Sequence, residues 1–229
     1  MKLPVGTLKA NIGAVLLLLA LIVSKDASAL EKPEYEVIFE NGKIEYRLYA
    51  PYIVVETEVA YQGSQDEMEE AMEEGFDRLF DYISGGNIQQ QKVSMTAPVE
   101  IARTGEQIAM TSPVQTTQTE TGVRMSFMLP GKYTLDSAPQ PTDSRVQLKH
   151  LPERGVAAIR FSGRWTERNL VKNEKRLIDD IRQRQLTTRG PSVFAAYHPP
   201  FMPPFLRRNE IHFELTGIPQ VSDIASIGD

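Results

Sequence analysis

The side chains that could perform chemistry in this sequence are histidines and a run of glutamates, and neither set has a catalytic spacing. The three histidines, His150, His198 and His212, are scattered, so each is only a weak candidate for a metal ligand. The glutamates between residues 67 and 74 are typical of a solvated helix face. No cysteine is present, which excludes thiol catalysis and disulfides. Without a nucleophile elbow, phosphate loop or dinucleotide fingerprint, the chain is predicted not to be an enzyme.

Residues 195–210, AAYHPPFMPPFLRRNE, form the most unusual segment of the chain. Prolines stiffen it, and a loop with so much apolar surface either packs against the fold or contacts a ligand. Tyr197 and His198 are also weak candidates for binding a metal. The arginines at its end could hold a carboxylate bidentately or pair internally with Glu210. Its large apolar side chains are Tyr197, Phe201, Met202, Phe205 and Leu206.

The element that the sequence defines best is a helix beginning after Ser64. Ser64 and Glu67 have the spacing of a capping box, which satisfies free N–H groups at a helix start. Gly85 and Gly86 predict a left-handed end. Apolar residues three and four apart form one stripe along this helix, made of Met68, Met72, Phe76, Leu79, Phe80 and Ile83.

Alternating apolar and polar residues predict strands on both sides of this helix. Asn41-Gly42 predicts a hairpin, and residues 166–185 predict a second helix. The related phrases 95–99 (MTAPV) and 110–114 (MTSPV) predict matched strand ends, because proline has no N–H for a ladder. The predicted strands are Tyr35–Phe39, Lys43–Tyr49, Tyr52–Ala60, Lys92–Val99, Gln107–Val114, Val123–Leu129, Val146–His150, Gly155–Gly163, Ser192–Tyr197 and Glu210–Leu215.

The chain repeats its own pattern after about 102 residues. Ile44, Tyr46 and Val54 then fall over Val146, Leu148 and Val156, and each half has the order strand, strand, helix, strands. Runs of strands with only two helices favour an antiparallel α+β fold over a parallel, doubly wound sheet. We therefore expect duplicated βαββ-type halves whose sheets close around one core, with one helix on each.

The first 29 residues have the pattern of a secretory signal peptide. Lys2 and Lys9 precede the apolar run Ile12–Val23, and Ala27-Ser28-Ala29 is a small-x-small cleavage pattern. The run is shorter than the ~20 residues that span a bilayer, although an uncleaved membrane anchor is the alternative. We expect an exported protein, periplasmic or otherwise extracytoplasmic. The expected division is a signal peptide at 1–29, a folded domain at 30–217 and a loose tail at 218–229.

The charge of the chain argues against a nucleic-acid partner. Its formal net charge is −5, and it becomes more negative without residues 1–29, which carry more lysine than aspartate. Such a balance does not attract phosphate backbones or anionic lipids. Membrane contact is therefore expected only if the N-terminal segment stays attached.

Five stretches resemble the SOUL/haem-binding-protein family in their order and spacing, and together they cover roughly residues 35–215. The phrase MTAPV, the strand end at Leu129-Pro130 and the final RRNE are the most specific parts of this resemblance. The stretches are Ile44–Pro51 (IEYRLYAP), Phe76–Asn87 (FDRLFDYISGGN), Lys92–Val99 (KVSMTAPV), Val123–Pro130 (VRMSFMLP) and Tyr197–Ile211 (YHPPFMPPFLRRNEI).

The resemblance implies a distorted antiparallel β-barrel flanked by two helices, with haem or a related porphyrin bound non-covalently in a shallow apolar groove. In relatives this groove follows the first helix and the loop before the last strand. Some members carry an axial histidine where this chain has Leu48, so that iron ligand is missing here. Arg78 matches a basic position that could neutralise a propionate. The other matching positions are Met72, Phe76, Leu79, Phe80, Ile83, Tyr197, Phe201, Met202 and Phe205.

Two other functions remain open at the level of sequence. The duplicated architecture also resembles the bacterial effector-binding domains of multidrug-type regulators, which implies a stand-alone binder or sensor of other amphipathic small molecules. The proline-rich segment could instead contact another protein, which would make the chain a non-enzymatic interaction module.

Overall fold

The computed structural model describes residues 30–61, 64–104, 121–198 and 202–218. The predicted signal peptide and nearly all of the predicted tail lie outside these residues. The described residues from Glu31 onward belong to one structural unit. The elements are β1 (Tyr35–Asn41), β2 (Ile44–Tyr49), β3 (Tyr52–Tyr61), α1 (Gln65–Ser84), β4 (Val99–Thr104), β5 (Thr121–Met128), β6 (Val146–Leu151), β7 (Arg154–Phe161), α2 (Glu167–Gln183), β8 (Thr188–Ala196), a 3-10 turn (Pro204–Leu206) and β9 (Asn209–Leu215).

The strands form one antiparallel sheet in the order β1-β2-β7-β9-β8-β4-β5-β3-β6. The α+β class is as predicted. Strands β1 and β6 each have one neighbouring strand, so pairing among the described residues does not close the sheet, and the expected barrel is not confirmed. The two tight corners β2–β3 and β6–β7 nevertheless approach each other, because the Arg154 guanidinium donates a hydrogen bond to the Tyr52 hydroxyl.

The two halves of the chain repeat one pairing scheme at an offset of 102 residues, the separation of Tyr52 from Arg154. Ile44 of β2 pairs with Ile159 of β7. At the equivalent positions of the other half, Val146 of β6 pairs with Thr57 of β3. Strand β2 of the first half therefore pairs with the second half, strand β6 of the second half pairs with the first, and the pairing of β4 with β8 joins the halves in the middle. The repeat found in the sequence is thus present in the structure.

Helix α1 begins and ends where the sequence predicts. The Glu67 N–H donates to Ser64 Oγ over 3.2 Å, and the Ser64 N–H donates to the Glu67 carboxylate over 3.4 Å, which completes the capping box. Gly85 ends the helix with a φ of 119°, a conformation that glycine adopts without steric cost. Within the described ranges, no helix has the length and apolar character needed to cross a bilayer.

Two clusters of buried apolar side chains hold the helices against one face of the sheet. Leu79 and Ile83 of α1 pack with Phe127 of β5, while Leu177 and Ile181 of α2 pack with residues of β2, β7 and β9. Burying one such side chain contributes about 1.5–3 kcal/mol. The core therefore fixes the position of both helices on the sheet.

Strand β4 corrects one sequence prediction. The predicted strand Lys92–Val99 is wrong, because residues 92–98 are irregular and β4 begins only at Val99. Pro98 has no N–H for a ladder, and Thr96 is held by its side chain, whose hydroxyl donates to the Met128 carbonyl over 2.6 Å. The related phrase 110–114 and its predicted strand lie outside the described residues.

Strand β8 is longer than predicted because it contains a bulge. It begins at Thr188, and its register with β9 shifts between Arg189 and Val193. Gly190 has a φ of 70° there, and the following Pro191 cannot donate to the ladder. The bulge interrupts the two-residue alternation of side chains, and for this reason the sequence pattern does not predict the first part of this strand.

Candidate functional site

The apolar stripe of α1 divides into a buried and an exposed part. Leu79 and Ile83 lie in the core, with exposed fractions of 0% and 5%. Phe76 and Phe80 belong to the same stripe but are 37% and 50% exposed. Successive residues of a helix are rotated by about 100° around its axis, so adjacent residues such as Leu79 and Phe80 cannot both face the sheet. Leu79 and Ile83 therefore serve the core, and the two phenylalanines remain at the surface.

Phe76 and Phe80 form a stacked aromatic pair, which we call the Phe pair. Their ring centroids are 5.9 Å apart and their planes differ by 11°. Phe76 also packs edge-on against the buried Phe127, with centroids 5.5 Å apart, and this contact fixes its orientation. The Phe pair is thus an ordered, flat apolar surface, which is unusual on a helix face open to water.

Arg78 ties α1 to the neighbouring strand. Its Nη1 donates to Thr57 Oγ1 and to the Glu58 carbonyl, both over 3.3 Å, and its Nη2 pairs with Glu74. Its Nε is buried and has no hydrogen-bond partner. Because these contacts employ most of the guanidinium, Arg78 as placed here positions the helix and does not point at an open ligand surface.

The proline-rich segment packs beside the start of α2. The Gly163 N–H donates to the Pro204 carbonyl over 2.9 Å, and the Arg207 guanidinium lies 5.3 Å from the centre of the Trp165 ring. Phe205 is 76% exposed, and Met202 is half-buried. Phe201 lies outside the described residues. The segment therefore keeps part of its apolar surface open to solvent.

Tyr197 is not open to solvent. It is buried, its hydroxyl donates to Glu210 Oε2 over 3.3 Å, and the Arg208 guanidinium covers its ring at 4.1 Å. Burial, together with the negative charge of Glu210, raises the pKa of Tyr197 well above its ordinary value. A tyrosine held in this way remains a protonated phenol, which is a poor metal ligand.

His198 is neutral and engaged through one ring nitrogen. Its Nδ1 accepts a hydrogen bond from the Arg208 N–H over 2.9 Å, so the proton of the neutral ring lies on Nε2. Burial and the nearby charges of Lys32, Arg208 and Arg160 lower the pKa of His198. Neither nitrogen then offers a free lone pair. In the part of the chain that the structure describes, no three His, Asp or Glu side chains cluster as a metal site.

A cleft of about 510 Å³ separates the N-terminal halves of the two helices, and we call it the interhelical cleft. Its floor lies over the central strands, where the paired residues Ile101 of β4 and Phe194 of β8 both line it. Its volume is within the range of ligand pockets, about 300–1,000 Å³. The main apolar lining consists of Met68, Met72, Ile101, Trp165, Leu170 and Phe194.

Of the residues that line this cleft, only Met72 is among those that the sequence predicts for a ligand site. The remaining lining comes from both halves of the chain, and no single stretch signals it. Ile101 and Arg103 are two residues apart in β4, and so are Ser192 and Phe194 in β8. Side chains two apart in a strand point to the same face of the sheet. The pairing of β4 with β8, which joins them, is not visible in the sequence.

The arrangement of strands and helices identifies the structural class of the molecule. It is similar to the C-terminal domain of EcmrR, with a TM-score of 0.52 at 8% identity, covering 80% of this chain and 99% of that domain. It is also similar to a hydrolase from Listeria innocua, with a TM-score of 0.50 at 10% identity, covering 76% of this chain and 92% of the other. At these identities the similarity defines a shared fold and nothing more.

The sequence assigns the chain to a family within this class. The family model described as SOUL heme-binding protein matches residues 30–214, and the chain belongs to that family, as its motifs predict. Heme-binding protein 1 of Xenopus laevis is 28% identical over 197 residues, covering 82% of this chain and 85% of the relative. Heme-binding protein 1 of Mus musculus is 24% identical over 144 residues, covering 63% of this chain and 71% of the relative.

Proposed function

We propose that this chain binds haem or a related porphyrin non-covalently, as a carrier or buffer without enzymatic activity, and that the Phe pair contacts the ring. Family membership supports the ligand class. The observation that carries the location is the exposure of two stacked phenylalanines beside the buried Leu79 and Ile83 of the same stripe. A planar ring laid on this surface would remove apolar area from water and stack with the aromatic faces.

The two candidate iron ligands of this chain, Tyr197 and His198, are already engaged in hydrogen bonds. Tyr197 is held by Glu210, and His198 accepts from the Arg208 N–H, so neither supplies an axial ligand without breaking a hydrogen bond. Arg78 is engaged with Thr57 and Glu58. Binding would therefore rest on apolar contact with the porphyrin ring. The protein would leave the iron of a bound haem open to other ligands.

A hemin titration of the purified protein tests this proposal. We expect a one-to-one complex with a shifted Soret band, and Phe80→Ala should weaken it by about tenfold, the effect of losing roughly 1.4 kcal/mol of contact. Val37→Ala is the matched control, because Val37 is also an exposed apolar side chain, at 42%, on the far edge of the sheet. Thermal unfolding should show that both variants remain folded.

Two outcomes would reject the proposal. Saturation only at concentrations where hemin adheres to any protein would remove the function itself. Equal affinities of the parent, Phe80→Ala and Val37→Ala would leave the ligand but remove the Phe pair as its site.

The proline-rich segment is the second element of the proposed surface. Met202 and Phe205 project from it, and Phe205 is the most exposed of the large apolar side chains described. Phe205→Ala combined with Phe80→Ala should lower hemin affinity more than either change alone if one ring contacts both. If Phe205→Ala changes hemin affinity neither in the parent nor in Phe80→Ala, the site is restricted to α1.

We further infer that the protein is exported and that residues 1–29 are removed. The signal-peptide pattern of residues 1–29 supports this. The intact mass of the protein recovered from outside the cytoplasm should correspond to a chain that begins at Leu30. A mass that retains the first residues would indicate the uncleaved anchor instead.

A further inference from the structure

The outer faces of the two helices carry opposite charges at equivalent positions of the repeat. The helices are in register, because their N-cap residues Ser64 and Thr166 are separated by the same 102 residues as Tyr52 and Arg154. At this offset, four acidic residues of α1 coincide with four basic residues of α2. The equivalent pairs are Asp66 and Arg168, Glu70 and Lys172, Glu73 and Lys175, and Glu74 and Arg176.

The four basic side chains form one exposed surface on α2, which we call the basic face. Residues three and four apart are neighbours on a helix, and all four bases are exposed, on the side opposite the buried Leu177. Among the residues that the structure describes, none of these four side chains has an ion-pair partner. Arg184, just past the end of the helix, does pair with Asp180, over 2.9 Å. The basic face therefore has positive charge available for a partner.

Three of the four acidic side chains on α1 are likewise exposed and, within the described ranges, unpaired. Glu74 differs, because it pairs with Arg78 and lies 3.7 Å from Arg145 of its own chain. We call the remaining three the acidic face of α1, and they are Asp66, Glu70 and Glu73.

The stability of the helices does not explain these charges. Arg168 lies in the first turn of α2, where the helix dipole disfavours a positive charge. Arg168, Lys172 and Arg176 are spaced four apart, and like charges at that spacing destabilise a helix. The basic face thus opposes the local preferences of its own helix, which favours a role outside the monomer.

We propose that the protein associates with a second copy of itself, with the acidic face of α1 on one copy against the basic face of α2 on the other. In a twofold dimer this contact occurs twice, because each copy contributes both faces. The helices have 20 and 17 residues, or about 30 and 25 Å at 1.5 Å per residue, so their faces match in length. Exposed ion pairs are individually weak, so the dimer would be reversible and sensitive to salt.

A second copy fits both faces better than any other anionic partner does. An anionic membrane or an acidic protein would engage the basic face and leave the acidic face of α1 unmatched. The formal net charge of −5 would also repel such a partner from the rest of the molecule. A second copy presents opposite charges at the same helical spacing to each face. The proposal goes beyond porphyrin binding and does not depend on it.

Sedimentation velocity of the purified protein, without porphyrin, measures this association. We expect a reversible monomer–dimer equilibrium at about 0.1 M salt that weakens at about 1 M, where the Debye length falls from about 10 to about 3 Å. A parent protein that stays monomeric at about 0.1 M salt up to about 1 mM protein would overturn the proposal. So would a monomer that binds vesicles of anionic lipid through the basic face, because that result would assign the face to a membrane.

A charge exchange between Glu70 and Lys172 tests the contact itself, because each lies centrally in its face. Glu70→Lys and Lys172→Glu should each weaken self-association by about tenfold or more, since like charges then meet at both contacts of the dimer. An equimolar mixture of the two variants should associate within about threefold of the parent, because opposite charges meet again at both contacts. A mixture that associates no better than either variant alone would overturn the proposal.

Matched controls separate the two faces from net charge. Glu36→Lys and Lys43→Glu make the same changes of charge at exposed positions of the β1–β2 hairpin, and neither should alter self-association. Thermal unfolding should show that all four variants remain folded. If the controls weaken association as much as Glu70→Lys and Lys172→Glu do, net charge governs it and the proposal fails.

Discussion

Arg47 and Glu210 form a bidentate ion pair across 163 residues of sequence, with Nη1–Oε2 and Nη2–Oε1 distances of 2.6 and 3.1 Å. Neither residue is exposed to solvent. Arg208 and His212 also donate to the Glu210 carboxylate, each over 2.8 Å. This carboxylate therefore joins β2 to β9 and, through Arg208 and Tyr197, anchors both ends of the proline-rich segment.

Glu210→Gln should destabilise the protein strongly. The change leaves the buried Arg47 guanidinium without its counter-charge, and removing one partner of a buried pair costs about 3–5 kcal/mol. Urea unfolding of the variant measures this difference. Glu36→Gln, at an exposed position of β1, should alter the free energy of unfolding by less than about 0.5 kcal/mol. A comparable loss in both variants would show that the ion pair is not the cause.

Stability should fall in acid, and Glu210 should be one reason. Burial alone would raise the pKa of Glu210, but hydrogen bonds from His212 and Arg47 outweigh burial and hold it well below the ordinary value of 4.5. A lowered folded pKa gives stability that is complete above the unfolded value and is lost as pH falls towards the folded one. The free energy of unfolding should thus decline below about pH 4.5, and Glu210→Gln should make that decline shallower. An identical acid profile in the variant would contradict this assignment.

Tyr46→Phe should weaken the docking of α2. The Tyr46 hydroxyl donates to Asp180 Oδ2 over 2.6 Å, and Asn41 Nδ2 donates to Asp180 Oδ1 over 2.9 Å. Removing the hydroxyl leaves a largely buried carboxylate one donor short, which costs about 1–3 kcal/mol. Thermal unfolding should show the loss, and Tyr133→Phe, whose hydroxyl accepts from Gln91 in an exposed bond, should show almost none. Equal melting temperatures for parent and Tyr46→Phe would count against the role of this hydrogen bond.

Metal-free protoporphyrin IX should bind about as tightly as hemin, within roughly threefold. The reason is that Tyr197 and His198 are both occupied by hydrogen bonds, so iron would add little to contacts made by the ring. Parallel titrations followed by absorption and by porphyrin fluorescence make the comparison. Hemin affinity far above that of the metal-free ring would reveal an axial ligand and would direct attention to His198→Ala.

Local patterns along the chain were enough to predict the elements with strong local signals. The capping box at Ser64 and the turn at Gly42-Lys43, one residue after the predicted position, are made by neighbouring residues, so their physics is contained in a few positions. The repeat that relates Ile44 to Val146, and the family motifs, are likewise readable without coordinates. The prediction of a strand before Val99 is wrong, because alternation alone does not reveal which strand-like segments find a pairing partner.

What the sequence established about this protein is its α+β class, its duplicated halves, the caps of α1 and its membership of the family. What the folded chain added is the exposure of Phe76 and Phe80, the engagement of Tyr197 by Glu210, and the cleft floored by Ile101 and Phe194. These features depend on contacts between residues far apart in the chain. Burial and hydrogen bonding at such contacts are set by the order and register in which the strands pair, which no local pattern encodes.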